Sequence, residues 1–216
     1  MVDLRAVHAV TIELHGGILT LAAICIVFKV IDILWGRFLG EKGGTFRRAL
    51  SRISDYSTPT ILLAAVFGTL GLVVSGITGS YLIPTETVLS SPIVLNKIMV
   101  SIFATEFWAV LIATYVIFWD SVWKTRGTTI TLVISGGLGY TFTIVGGSIG
   151  GTIAGKGSIM EPLWEALGVN LHTSWMLSSE VLLAIIGIVN VVGILLVLFS
   201  SRLVNVLGSA DRASEK

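Results

Sequence analysis

Apolar residues occur along this chain in long continuous runs separated by short polar segments. Five of these runs are long enough to cross a bilayer, whose hydrocarbon core of roughly 30 Å takes about 20 helical residues. Within such a core a helix satisfies all of its own backbone hydrogen bonds. We therefore predict an all-α integral membrane bundle of five transmembrane helices, which span about residues 10–35, 59–82, 97–119, 128–153 and 175–200.

The composition supports this class of protein. Hydrophobic residues make up 54% of the chain and charged residues 12%, and the mean hydropathy is +0.92, which does not suit a soluble domain. The spans and their connections form a single domain over residues 1–203, followed by a polar tail over residues 204–216. The single cysteine, Cys25, excludes an internal disulfide.

The distribution of basic residues predicts the orientation in the membrane. The first connection, the third connection and the tail together hold ten of the fourteen Lys and Arg residues. Because basic loops stay in the cytoplasm, the N-terminus is predicted outside and the C-terminus inside. The expected location is the cell membrane, as a multi-pass protein surrounded by the lipid bilayer.

All three histidines of the chain, His8, His15 and His172, fall toward the outer side in this topology. His8 and His15 are two helical turns apart, so they share a face but lie about 10 Å apart and cannot ligate one ion together. If the first and last helices are neighbours, His15 and His172 could hold the iron of a haem b as an axial pair. His8 would then be the alternative ligand, or would serve a haem propionate or a quinol. The alternative is that all three are histidines of the membrane interface without a ligand.

Acidic residues within the spans are costly and often mark a route for protons or substrate. Glu13, Glu106 and Glu180 descend from the outer side and form a possible proton pathway for quinol chemistry. Equally, they could be neutral acids that are hydrogen-bonded within the bundle. Lys29 and Asp32, three residues apart near the cytoplasmic side, are predicted to pair with each other as a structural contact.

The fourth span ends in a glycine-rich stretch, residues 146–151, which includes Gly147 and Gly150. Small residues leave space beside a helix, either for a neighbouring helix or for the edge of a porphyrin. In the outer segment that follows, residues 160–167 are predicted to form a short amphipathic helix on the membrane surface.

The chain resembles a family of small, mostly four-span prokaryotic membrane proteins of unassigned function, often regarded as cytochrome-b-like. The resemblance is carried by His8 and His15, the glycine-containing turn at 76–79, and the stretch 146–151 followed later by Gly168 and Val169. The family commonly has a proline soon after its N-terminal histidine and a further histidine in the third span, and both are missing here. The resemblance implies a haem protein in which a third-span ligand has been lost or replaced by His172.

Together these features favour a membrane-anchoring electron-transfer subunit that carries haem b near the outer face and links the quinone pool to a redox partner. No phosphate-binding loop, hydrolase, metalloprotease or c-type haem motif is present, so we do not expect an enzyme that acts alone, although a subunit of an oxidoreductase complex is consistent. The net charge of +1 gives no reason to expect a nucleic-acid partner. Two alternatives stay open: a cofactor-free accessory subunit of a larger respiratory or oxidase complex, and a small-solute transporter or channel that uses Glu106 and Glu180.

Overall fold

The computed structural model describes residues 3–39, 44–158, 160–175, 180–181, 183–192 and 195. All regular secondary structure in these ranges is helical. The helices are α1 (Leu4–Leu39), α2 (Gly44–Leu82), α3 (Thr85–Ser90), α4 (Pro92–Phe118), α5 (Arg126–Ile153) and α6 (Glu161–Ala166), with a 3-10 turn at Trp119–Ser121 and a further helical piece, α7, at Leu183–Val192.

The four long helices form a bundle of two antiparallel hairpins. α1 packs along α2, α4 packs along α5, and smaller contacts join α2 to α4 and α1 to α5. The connections within the two hairpins lie at one end, which we call the basic end. The start of α1, α3 and the segment after α5 lie at the opposite end, which we call the N-terminal end.

Helices α1, α2, α4 and α5 are long and apolar enough to cross a membrane. Large hydrophobic side chains cover their outer surfaces, such as Val27, Phe67 and Val116, which are 55%, 60% and 65% exposed. Outward apolar side chains are what lipid contact requires, and the chain is accordingly a multi-pass membrane protein. The first four predicted spans coincide with these helices. Of the fifth, the piece at Leu183–Val192 is helical, and most of the remainder, with the tail at 204–216, lies outside the described residues.

Helix α2 extends well beyond the membrane at the basic end. Its 39 residues give a length of roughly 58 Å, about twice the hydrocarbon thickness. The first turns carry Arg47, Arg48 and Arg52, and the apolar part begins near Pro59. Because proline has no N–H, the carbonyl of Asp55 loses its helical donor at this point.

Glycines set the distance between the paired helices. At Gly68 of α2, an added Cβ would lie 2.5 Å from Cγ of Leu19, which is fully buried on α1. At Gly139 of α5, an added Cβ would lie 3.2 Å from the buried indole of Trp108 on α4. Small residues at both interfaces therefore let the backbones approach closely, as is usual between membrane helices. The core around them contains Leu19, Ile61, Trp108, Leu111, Tyr115 and Leu132.

The predicted pairing of Lys29 with Asp32 is wrong. Asp32 instead forms an ion pair with Arg47, which reaches across from α2. Lys29 donates to the backbone carbonyl of Ser54 at 3.1 Å, also on α2. Lys29 and Asp32 thus both connect α1 to α2. The part of α2 that extends beyond the membrane places the Ser54 carbonyl and the Arg47 guanidinium beside them.

Candidate cofactor site at the N-terminal end

His15 is the most buried histidine of the described residues, with 8% of its surface exposed. Its Nδ1 lies 2.7 Å from the carbonyl oxygen of Thr11, one turn earlier on α1. A carbonyl oxygen only accepts hydrogen bonds, so Nδ1 carries the proton and Nε2 is the acceptor nitrogen of the neutral ring. A backbone carbonyl that fixes Nδ1–H in this way is the usual support for a histidine that binds a metal through Nε2.

Helix α2 holds the His15 side chain from the opposite side. A Cβ at Gly71 would lie 2.8 Å from Cβ of His15, closer than real Cβ atoms approach. Glycine at this position therefore allows α1 and α2 to come together at the level of the histidine. The contact with Gly71 fixes the Cβ atom of His15, and the hydrogen bond to Thr11 fixes its imidazole ring.

His8 lies on the same face of α1, two turns nearer the N-terminus. Its Nδ1 is 3.0 Å from the hydroxyl oxygen of Thr78 on α2. That hydroxyl also lies 2.9 Å from the Val74 carbonyl oxygen and 3.2 Å from that of Ser75, so it links His8 to the backbone of α2. At Gly79 an added Cβ would lie 2.9 Å from Cε1 of His8. The predicted common face of the two histidines is therefore the face that α1 turns toward α2.

Lys97 brings a positive charge to the two histidines from α4. Its charge acts on both His8 and His15, and its Nζ would be 2.9 Å from a Cβ added at Gly150 of α5. His8, His15 and Lys97 therefore form one group, which we call the histidine–lysine cluster. Lys97 was not among the site residues predicted from the sequence, although a lysine inside an apolar helix is as costly as an acid such as Glu106.

The two glycines predicted to line a cofactor site differ in their surroundings. Gly150 lies against Lys97, within reach of the cluster. Gly147 is exposed, and nothing lies within 4 Å of a Cβ added there. Gly150 is therefore beside the candidate site, whereas Gly147 lines a separate cavity between α5 and the segment that follows it.

His172 lies in the segment that follows α6, and its side chain is exposed. Asn96, fully buried on α4, anchors this segment. Its Nδ2 donates to the carbonyls of Leu171 and Thr173 at 3.2 and 2.7 Å, and its Oδ1 accepts from the amide of Trp175 at 2.8 Å. Asn96 immediately precedes the cluster lysine, so these bonds place His172 at the same end of the bundle as His15.

The three acids of the predicted proton pathway lie in different environments. Glu13 and Glu180 have exposed side chains, whereas Glu106 is half-buried near the middle of α4. The hydrogen bonds of the described residues do not connect Glu13 with Glu106. The pathway therefore stays a prediction.

Comparisons with protein-family models, with curated proteins and with solved structures found no match. Within the described part of the chain, no three or more His, Cys, Asp or Glu side chains come together to hold a metal ion. Haem iron needs only one or two protein ligands because the porphyrin supplies the others. A functional interpretation therefore depends on the geometry of the histidine–lysine cluster itself.

Proposed function

We propose that this chain is an electron-transfer subunit of the cell membrane that binds haem b at the N-terminal end of the bundle. His15 and His172 are the proposed axial ligands, with His8 as the alternative ligand. The subunit exchanges electrons between the quinone pool and a partner subunit of a redox complex. When bound, haem supplies the one-electron carrier that the amino acids of the cluster lack.

The orientation of the His15 ring is the single observation that carries the proposal. The ring is buried in an apolar bundle, its Nδ1–H is bonded to the Thr11 carbonyl, and its Nε2 has no hydrogen-bond partner among the described residues. Nε2 is therefore the ring nitrogen that remains available to accept a bond from an added ligand. Iron coordination at Nε2 would satisfy this atom and would use the orientation that the backbone bond already imposes.

Lys97 and the acids have supporting roles in this proposal. The ammonium of Lys97 lies where it can compensate the negative charge of a haem propionate or of a reduced quinone. Glu13, Glu106 and Glu180 are the proposed groups for proton uptake and release during quinol chemistry. Gly150 leaves room for the lysine side chain beside α5.

The proposed topology has five spans, with the N-terminus outside and the C-terminus in the cytoplasm. The positive-inside rule supports this orientation, because the basic end of the bundle carries most of the basic residues. A fifth span, over residues 175–200, would start where Asn96 anchors the chain at the N-terminal end. It would then return the chain to the cytoplasmic side.

The test is the reduced-minus-oxidised absorbance spectrum of protein purified in detergent from cells supplied with haem, with a pyridine haemochrome assay for stoichiometry. We expect the bands of haem b at about one haem per chain, since the bundle offers one such histidine pair. His15→Ala and His172→Ala should each remove or strongly shift the bands, and His8→Ala should leave them in place.

Size-exclusion chromatography of each variant separates loss of haem from loss of folding. Gly71→Ala adds an independent variant, because it displaces the His15 side chain without removing the imidazole and should shift the bands. A featureless spectrum from well-folded wild-type protein would overturn the proposal. Bands that persist in His15→Ala but vanish in His8→Ala would transfer the ligand role to His8.

A second candidate function, a cofactor-free accessory subunit, is favoured by the glycines on the outer surface. Gly76, Gly137 and Gly147 are exposed within apolar helices, and a Cβ at each would meet open space. Exposed glycines suit close contact with helices of another subunit. Replacing Gly137 with Leu would then abolish co-purification of partner subunits and leave the isolated chain folded, whereas unchanged co-purification would exclude this surface.

A further inference from the structure

A second polar site lies at the basic end of the bundle, away from the histidine–lysine cluster. A cavity of about 470 Å³ opens there between α1, α2 and the connection from α4 to α5. Its lining includes Lys29, Asp55, Trp119 and Lys124. The cavity is distinct from the proposed cofactor site, and its function does not depend on haem.

The cavity is lined by two lysines and two aspartates, and one of the two aspartates already has a cationic partner. Asp32 also lines it, but its carboxylate is already paired with Arg47. Lys29 gives one N–H to the carbonyl of Ser54 and has two more to donate. Lys124 is exposed and forms no ion pair within the described ranges. Two ammonium groups thus face one unpaired carboxylate, Asp55.

Two tryptophans border the same cavity at the level where apolar helices give way to charged segments. Trp119 is 59% exposed. Trp123 is held by a bond of 2.8 Å from its Nε1 to the hydroxyl of Tyr115. Tryptophan rings of this kind are enriched at the headgroup level of membranes. The cavity therefore lies where the headgroups of one leaflet are expected.

We propose that this cavity binds the phosphate of a phospholipid headgroup through Lys29 and Lys124. Two lysine cations supply charge-assisted donors for a phosphate, and basic pockets between membrane helices are suited to anionic headgroups. The adjoining tryptophans and Ile33 offer apolar surface for the start of the acyl chains. A soluble phosphate ester shares the headgroup chemistry but lacks these chains, so the apolar border favours the lipid.

Native mass spectrometry of the full chain released from detergent provides the test, with palmitoyl-oleoyl phosphatidylglycerol as the probe. An interfacial lysine contributes about 1 kcal/mol to binding an anionic lipid, which is about a fivefold change in affinity. Lys29→Gln and Lys124→Gln should therefore each weaken binding about fivefold, and the double variant about 25-fold. Arg52→Gln is the matched control, because Arg52 is exposed at the same end but does not line the cavity.

Competition with glycerol 3-phosphate and with inorganic phosphate distinguishes the two sources of phosphate. Weak competition at millimolar concentrations is the expected result. Competition as tight as that of the lipid would overturn the lipid assignment. An equal loss of affinity in Arg52→Gln would also overturn it, since the lipid would then respond only to general surface charge. Because Lys124 is exposed, Lys124→Glu should fold normally, and its charge change of two should weaken binding about 25-fold.

Discussion

Replacing Gly68 with alanine tests whether close contact of α1 and α2 stabilises the bundle. The new methyl group would overlap the Leu19 side chain, lying 2.5 Å from its Cγ. Leu19 is fully buried, so it cannot move aside without displacing its neighbours. Overpacking of this kind typically costs about 1–3 kcal/mol of unfolding free energy.

Gly76→Ala on the same helix isolates this packing effect. A Cβ there meets nothing within 4 Å. Both substitutions share the gain in helix propensity, which is at most about 1 kcal/mol. The free energy of unfolding of Gly68→Ala should therefore be about 1–3 kcal/mol below that of Gly76→Ala. Reversible unfolding by sodium dodecyl sulfate in mixed micelles, followed by tryptophan fluorescence, measures this difference.

A double variant adds a stricter criterion. Leu19→Ala alone should cost about 2–5 kcal/mol because it leaves a cavity. In the double variant with Gly68→Ala, the methyl group added at position 68 fills part of the cavity that Leu19→Ala leaves. The double variant should therefore be more stable than the sum of the two single effects predicts. Equal stability of Gly68→Ala and Gly76→Ala, with additive effects in the double variant, would refute the close approach of α1 and α2 at this position.

Two further predictions concern the N-terminal end and the orientation. Asn96→Ala removes three hydrogen bonds to the segment after α6 and should lower the unfolding free energy by about 3 kcal/mol. The control is Asn190→Ala, at an exposed site whose side chain bonds, among the described residues, to the Ile186 carbonyl one turn earlier, and it should cost under about 0.5 kcal/mol. Equal losses would contradict this prediction. In a Cys25→Ser background, a membrane-impermeant maleimide should label Thr87→Cys in intact cells and Thr45→Cys only after permeabilisation. The reverse labelling would invert the proposed orientation.

Much of the fold could be predicted because each membrane-spanning helix corresponds to one continuous apolar segment of about 20 residues in the sequence. Twenty apolar residues have no alternative to a membrane helix once lipid is the solvent, so four of the predicted spans coincide with long helices. The short helix predicted at 160–167 is also present, as α6. The candidate site was less predictable, because its members come from helices that are distant in the sequence.

Lys97 and Asn96 illustrate this limit. Both lie in the first turns of α4, and nothing in their local sequence relates them to α1 or to the segment after α6. The electrostatic effect of Lys97 on the two histidines depends on which faces of α1 and α4 turn inward. The bonds of Asn96 depend on where the chain returns after α6.

The sequence by itself determined the class of protein, the positions of four spanning helices and the shared face of His8 and His15, since these follow from hydrophobic length and helical period. Only the tertiary structure decided the partners of the charged and polar groups. Asp32 pairs with Arg47 and not with Lys29, because packing of α2 against α1 brings the guanidinium to the carboxylate. The same packing places Gly71 against His15. Contacts between helices depend on the rotation of each helix about its own axis and on the distance between helix axes, and the hydrophobic pattern determines neither quantity.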